Sequence, residues 1–226
     1  MNCLWCDQEI ILEMSWTNLV ILPKPKQLCE RCESGLKLLT DERCERCSRI
    51  TNEKTCSDCE WWASQKESDP LVFNYSVFTY NKQMQAMIAK WKYRGDFILA
   101  DAFKQQFIDS FQKKFSMLME DILIIPIPLS AERLQERGFN QAKVLADFLP
   151  IKNEEMITRI HSEKQSKMTR SERISTNNPF KIYEKINKKV ILVDDIYTTG
   201  RTLRHAATLL KESGCPEVYA YTLIRG

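Results

Sequence analysis

Along residues 72–80 aromatic and aliphatic positions alternate weakly with polar ones, which predicts a strand. Residues 81–82 read as a turn. Met84, Met87, Ile88 and Trp91 then recur at i, i+3, i+4 and i+7, one face of an amphipathic helix. That helix runs into KWKYRGD, where three cations and Gly95 suit a helix end. Ala100, Phe103, Phe107, Phe111 and Phe115 continue at helical spacing as a second helix. A buried strand follows at 121–128 (DILIIPIP), and then a segment, 131–148, expected to be helical in its second half. Short strands are expected at 156–160 and 180–183. The final run is a buried strand at 189–193, a helix at 202–213 and a strand at 218–224. Strands alternating with helices argue for a parallel α/β sheet.

The first quarter of the chain lacks this pattern. Residues 9–23 (EIILEMSWTNLVILP) read as a short hairpin, and residues 30–39 as a helical turn. Residues 60–70 (EWWASQKESDP) look like a linker with two tryptophans that can dock on a neighbour. Residues 161–178 (HSEKQSKMTRSERISTNN) are polar, cationic and without apolar period, and are expected to form a mobile loop.

Cysteine gives this first quarter its meaning. Eight of the nine cysteines form four Cys-x-x-Cys pairs: Cys3/Cys6, Cys29/Cys32, Cys44/Cys47 and Cys56/Cys59. A tetrahedral zinc site takes two such knuckles, so eight thiolates suggest two zinc ions. Pairing the knuckles sequentially closes the shortest loops at the least entropy; interleaved pairing also satisfies the count. A redox dithiol explains one such pair but not four within sixty residues. Such sites ordinarily fold a domain too small to have its own core. The expected organisation is a zinc-binding domain at 1–66 and an α/β domain at 67–226.

Net charge is +3, distributed unevenly. Residues 1–66 carry 9 Lys/Arg against 11 Asp/Glu; with 33 and 30 in all, the remainder carries 24 against 19 and is net +5. Thiolate-bound zinc would make the first segment still more acidic. No apolar run is long enough to span a bilayer, and no basic segment precedes an apolar run at the start, so membrane insertion and a signal peptide are not expected. A cytoplasmic protein is.

The chemistry-bearing stretch is VILVDDIYTTGRTL, residues 190–203. In an open α/β sheet, ligands sit beyond the carboxyl ends of the strands. Asp194 and Asp195 stand at that edge and repel one another unless a cation or hydrogen-bond donors meet them. The vicinal diol of a ribose or a Mg²⁺ ion would serve. Thr198, Thr199, Gly200, Arg201 and Thr202 follow at a helix start, where amides, hydroxyls and a glycine make a phosphate cradle. Together these describe a ribose 5-phosphate. A polar turn capped by threonine accounts for only half of the pattern.

This stretch resembles the signature of the type I phosphoribosyltransferases, which bind 5-phosphoribosyl 1-pyrophosphate. KYRGD (92–96), PIPLSAERLQERGFNQA (126–142) and the loop carrying Gln165, Arg170 and Arg173, behind four Cys-x-x-Cys pairs, resemble the ComF/GntX family of competence-associated proteins. The likeness covers nearly the whole chain and is strongest in RGFNQA and VDDIYTTGRTL. It implies a type I phosphoribosyltransferase-like domain behind a double zinc ribbon, and a role in uptake and processing of transforming DNA. It also implies a partner, a DNA-dependent ATPase or helicase of the same operon. Single-stranded DNA is a plausible further partner for the basic domain.

Roles follow from the resemblance and the chemistry. Asp194 and Asp195 would hold the ribose hydroxyls, directly or through Mg²⁺, and Thr198–Thr202 the 5′-phosphate. Arg133, Arg137, Lys92 and Arg94 are candidate cations for the pyrophosphate. Lys164, Lys167, Arg170 and Arg173 would close over the leaving group. Catalysis would displace pyrophosphate from C1 through an oxocarbenium-like state. No segment selects a base, and the zinc region stands where other members of the superfamily place a hood. Three readings therefore stand: a competence protein, an active transferase on an unknown acceptor, or an adaptor that senses a phosphoribosyl ligand.

Overall fold

A computed structural model describes residues 1–11, 26–39, 42–65, 69–93, 96–118, 121–160 and 178–226. Its centre is a four-stranded parallel sheet of β1 (Asn74–Thr79), β2 (Ile122–Pro126), β5 (Lys189–Tyr197) and β6 (Val218–Arg225), in the order β1-β6-β5-β2. Two short antiparallel strands, β3 (Ile157–Arg159) and β4 (Phe180–Ile182), lie outside it. The expected loop at 161–178 falls outside the described residues except for Asn178, as does most of the expected hairpin at 9–23.

Strand alternation sorts the sheet's side chains to two covered faces. Ile124, Ile191, Val193, Tyr219 and Tyr221 pack with α3 (Lys82–Tyr93) and α4 (Asp101–Phe115). The periodic residues expected on those helices, from Met84 to Trp91 and Phe103 to Phe115, are fully or nearly fully buried. On the other side, Ile125, Val190, Leu192, Val218 and Ala220 meet Leu203, Ala206, Ala207 and Leu210 of α7 (Arg201–Glu212).

Three local expectations change. The segment at 131–148 is helical in both halves, as α5 (Ala131–Arg137) and α6 (Gln141–Asp147). Gly138, with φ 77°, ends the first, and the Asn140 side chain caps the second by accepting from the Ala142 amide at 3.0 Å. The stretch taken for a linker begins as a helix, α2 (Ser57–Gln65), and Asp69 beyond it has a side chain only 2% exposed. Asn81 is a helix cap rather than a free turn: its side chain accepts from the Met84 amide at 2.8 Å.

The cysteine-rich segment lies against the outer edge of β1. Leu38 bridges Phe78, and the Leu39 amide donates to Val77 O at 2.9 Å. Arg46 O accepts from the Asn74 amide at 2.8 Å, and Ser48 Oγ donates to Asn74 O at 2.9 Å. An open edge strand is a template for unwanted pairing, and here it is covered. Among the described residues no helix is long and apolar enough to cross a membrane.

Candidate functional site

The eight cysteines gather as Cys3, Cys6, Cys29 and Cys32, and as Cys44, Cys47, Cys56 and Cys59, with the ligand atoms of each group within 4.8 Å of one another. This is the sequential pairing. Each group is built alike. Its first knuckle is a tight turn in which the amide of Cys3 or Cys44 donates five residues ahead, to Gln8 O or Arg49 O, at 2.8 and 2.7 Å. Asp7 and Ser48, each just past the knuckle's second cysteine, have φ of 60° and 61°. The second knuckle opens a helix: α1 (Glu30–Ser34) contains Cys32, and α2 contains Cys59. Thiolates at helix starts are favoured by the dipole.

The groups fit zinc. Four sulfurs about 2.3 Å from a tetrahedral ion lie about 3.8 Å apart. Cys6 and Cys29 Sγ are 3.7 Å apart, and Cys47 and Cys56 Sγ 3.5 Å, far beyond a disulfide's bond length. Cys47 is drawn down to about 4, first by the hydrogen bond from Cys59, with the Arg49 amide and the Arg225 charge helping against burial.

At the carboxyl edge of the sheet, Asp194 and Asp195 lie inside β5, which continues to Tyr197 rather than stopping at Val193. Asp194 pairs with Thr222 in the ladder. The two carboxylates are not equivalent. Asp195 forms an ion pair with Lys92 at the end of α3. Asp194 Oδ1 accepts its neighbour's amide at 2.9 Å. Burial first, and then the Asp195 charge, raise the Asp194 carboxyl well above the ordinary aspartate range. Such oxygens suit a hard cation or a diol. Lys92, expected among the pyrophosphate cations, is therefore engaged with the acid pair.

Beyond Tyr197 the chain bends through Thr198 and Thr199 to Gly200 and enters α7 at Arg201, with Thr202 in its first turn. Gly200 has φ 74°, and an added Cβ would lie 2.2 Å from Tyr197 Oη and 2.4 Å from Arg204 Nη1. Among the described residues, the amides of Thr198, Thr199 and Gly200 reach no protein acceptor. This leaves them available to an anion beside a positive helix end. Arg201 and Thr202 are exposed.

The RGFNQ stretch joins the same edge. Asn140 Nδ2 donates to Ile127 O at 3.1 Å, just past β2. The Phe139 ring lies 6.1 Å from Trp91 and 5.2 Å from Phe97. Arg137 donates to Gln141 Oε1 at 3.0 Å and lies over the Tyr93 ring, while Arg133 is exposed. Arg94, Gly95, Arg170 and Arg173, with Lys164, Gln165 and Lys167, lie outside the described residues.

Sequence reading missed Arg159 and Arg204, and expected Trp62 to dock on a neighbour without identifying it: its Nε1 donates to Thr199 O at 3.1 Å. Arg159 ends β3 within electrostatic reach of Asp194, Arg133 and Glu132; burial first, then Arg133, lower its pKa. Its signal was a cation ending a predicted strand beside the basic loop. Arg204 is buried in α7. Its Nε and Nη2 grip Asp69 at 3.1 and 2.8 Å, and its Nη1 donates to Tyr197 Oη at 2.7 Å. Nothing in the local pattern distinguished it from a surface arginine.

Comparison with known proteins matches a phosphoribosyl transferase domain over residues 134–226. "Competence protein ComFC" of Bacillus subtilis is 38% identical over 228 residues, covering 99% of this chain and 94% of that one. The chain belongs to the ComFC family. ComFC of Streptococcus pneumoniae is 31% identical across all of both chains. A hypoxanthine phosphoribosyltransferase structure from Staphylococcus aureus shares 17% identity at a TM-score of 0.32, over 54% of this chain and 62% of that one. For this ComFC-family chain the phosphoribosyltransferase-type sheet and the two tetra-cysteine groups thus occur together. The family match includes the edge that carries Asp194, Asp195 and the Thr198–Thr202 turn.

Proposed function

We propose that this protein acts in natural competence, in the uptake and processing of transforming DNA, through a pocket that binds 5-phosphoribosyl 1-pyrophosphate or a related phosphoribosyl ligand with Mg²⁺. The observation that carries the role is the likeness, along essentially the whole chain, to two proteins named for competence. The ligand is supported by one edge of the sheet, where adjacent carboxylates precede a bend whose amides, among the described residues, reach no protein acceptor at a helix start.

In this reading Asp194 and Asp195 accept from the ribose 2′- and 3′-hydroxyls, and the amides and hydroxyls of Thr198 to Thr202 hold the 5′-phosphate. Lys92 holds Asp195 until the ligand arrives and then stands beside the sugar. Mg²⁺, when bound, would neutralise the pyrophosphate. Arg133 and Arg137 add cations, and Arg159 lies within electrostatic reach of Asp194. If the bound ligand reacts, Asp194 and Asp195 stabilise positive charge developing on the ribose as pyrophosphate departs. The protein works in the cytoplasm with a DNA-dependent ATPase, and its basic domain contacts single-stranded DNA.

Calorimetric titration of zinc-loaded protein with 5-phosphoribosyl 1-pyrophosphate and Mg²⁺ tests the pocket. Saturable binding that Asp194→Asn/Asp195→Asn abolishes is expected; a folded wild type with no binding rejects the ligand. In a naturally competent host, clean deletion should lower transformation by orders of magnitude, and undiminished transformation rejects the role.

A further inference from the structure

We propose that the second tetra-cysteine group is a working wall of the ligand pocket: Trp62 is a positioning residue for the phosphate-binding bend, and metal in that group sets affinity for a sugar-phosphate ligand. The inference rests on the phosphate reading of the bend. Three chains of contact carry it, each starting at or beside a cysteine of this group.

The first runs through α2. Cys59 and Trp62 are three residues apart, one helical turn on one face. Trp62 Nε1 donates to Thr199 O at 3.1 Å, across 137 residues of sequence. A trans peptide holds its C=O and N–H in one plane, pointing in opposite directions. Fixing Thr199 O therefore fixes the direction of the Gly200 amide, one of the three that reach no protein acceptor among the described residues.

The second runs through Cys47. Arg225 Nη2 lies 3.8 Å from Cys47 Sγ, and its Nη1 donates to Tyr197 O at 3.2 Å. By the same planarity this orients the Thr198 amide. The third starts between the two cysteines of the first knuckle. Arg46 pairs with Asp69 at 3.3 Å, Asp69 grips Arg204, and Arg204 lies 4.6 Å from the Trp62 ring centre and donates to Tyr197 Oη. The Gly200 Cα, whose added Cβ would strike Tyr197 Oη and Arg204 Nη1, is packed against the end of this chain.

A nine-residue helix is marginal on its own. The register of α2 therefore depends on what holds Cys56 and Cys59. With metal the strut is set; without it Trp62 loses its fixed height above the bend. Among the described residues the first group has no comparable line of contacts to the bend: Cys3 and Cys32 pack in the other core cluster, with Val77, Phe78 and Met84. By linkage, a ligand that binds the ordered bend must also retain the metal of the second group.

Hydrogen–deuterium exchange of the full, zinc-loaded protein, read on peptides spanning 197–207, where the Arg204 amide is held by Gly200 O at 3.0 Å, tests the strut. Trp62→Phe keeps a ring for Arg204 but removes the donor. It should hold both zinc ions, speed exchange of the bend severalfold, and weaken 5-phosphoribosyl 1-pyrophosphate binding about 2- to 10-fold. Glu60→Gln, an exposed change on the same helix, should change neither. Arg46→Gln, which leaves all four thiolates, should loosen the same peptides, and Cys59→Ser should do so while lowering zinc content by one. Wild-type exchange and affinity in Trp62→Phe overturn the strut. Unchanged exchange in both Arg46→Gln and Cys59→Ser overturns the coupling. If the wild type binds no ligand while Trp62→Phe loosens the bend, the ligand assignment fails and the strut stands. Tight wild-type binding that Trp62→Phe leaves unchanged, with unchanged exchange, has the opposite meaning.

Discussion

Lys92, at the end of one helix, forms an ion pair with Asp195, one residue beyond the half-buried Asp194 in the central strand. The pair explains how two adjacent carboxylates coexist at a partly covered strand end. Both partners are largely buried, at 15% and 13% exposure. Lys92→Met leaves a carboxylate without its cation and should destabilise the protein by about 1–3 kcal/mol at neutral pH. In an Asp195→Asn background the same change should cost much less. Urea unfolding of the four proteins of this cycle measures the difference; additive effects would mean the pair contributes nothing.

Asp194 gives a pH signature of opposite sign to that of most carboxylates. Its folded pKa is raised by burial and by Asp195, so folding favours its protonated form. The favourable contribution is full below the unfolded value near 3.8 and is lost as pH rises through the folded value. Asp194→Asn keeps the neutral shape and should raise the melting temperature at pH 7 by a few degrees. That gain should shrink as pH falls toward 4. The same variant should lose ligand binding, a separation of stability from function. A variant less stable than wild type at pH 7 would show that Asp194 is held by interactions stronger than its desolvation.

Periodicity made the sheet and its large helices legible, because Trp91, the four phenylalanines of 103–115 and the aliphatic strands each serve one buried face. The acid pair, the bend and the cysteine knuckles were legible because their chemistry is local in sequence. What stayed hidden was long-range. Trp62, Asp69, Arg46 and Arg204 look like linker and surface residues, and only the fold brings them together, across 135 residues in the case of Asp69 and Arg204. Lys92 looked like a phosphate cation because charge alone does not reveal its partner.

Zinc removal should expose the β1 edge. Structural zinc contributes on the order of 10 kcal/mol in small zinc-folded modules. Stripping both ions should release the contacts of Leu39, Arg46 and Ser48 with β1 and leave an edge strand open to pairing. The expected result is a lower melting temperature together with concentration-dependent association in sedimentation velocity. A monomeric chelated protein with unchanged melting would mean the edge is held without metal.

Gly200 is constrained twice, by its φ of 74° and by the atoms around it. Left-handed backbone costs a non-glycine residue about 1–3 kcal/mol. An alanine Cβ would also have to displace Tyr197 Oη and Arg204 Nη1, which are bonded to one another at 2.7 Å and tied through Arg204 to Asp69. These are not the free ends of flexible side chains. Gly200→Ala should therefore lose at least the backbone cost in stability and should weaken binding of a phosphorylated ligand more than tenfold by tilting the bend. Gly138→Ala provides the contrast. Gly138 has the same sign of φ, 77°, but nothing lies within 4 Å of its added Cβ. It should show the backbone cost alone. Thermal unfolding and calorimetry of the two variants separate strain from crowding, and equal losses in both would mean the packing around Gly200 yields freely.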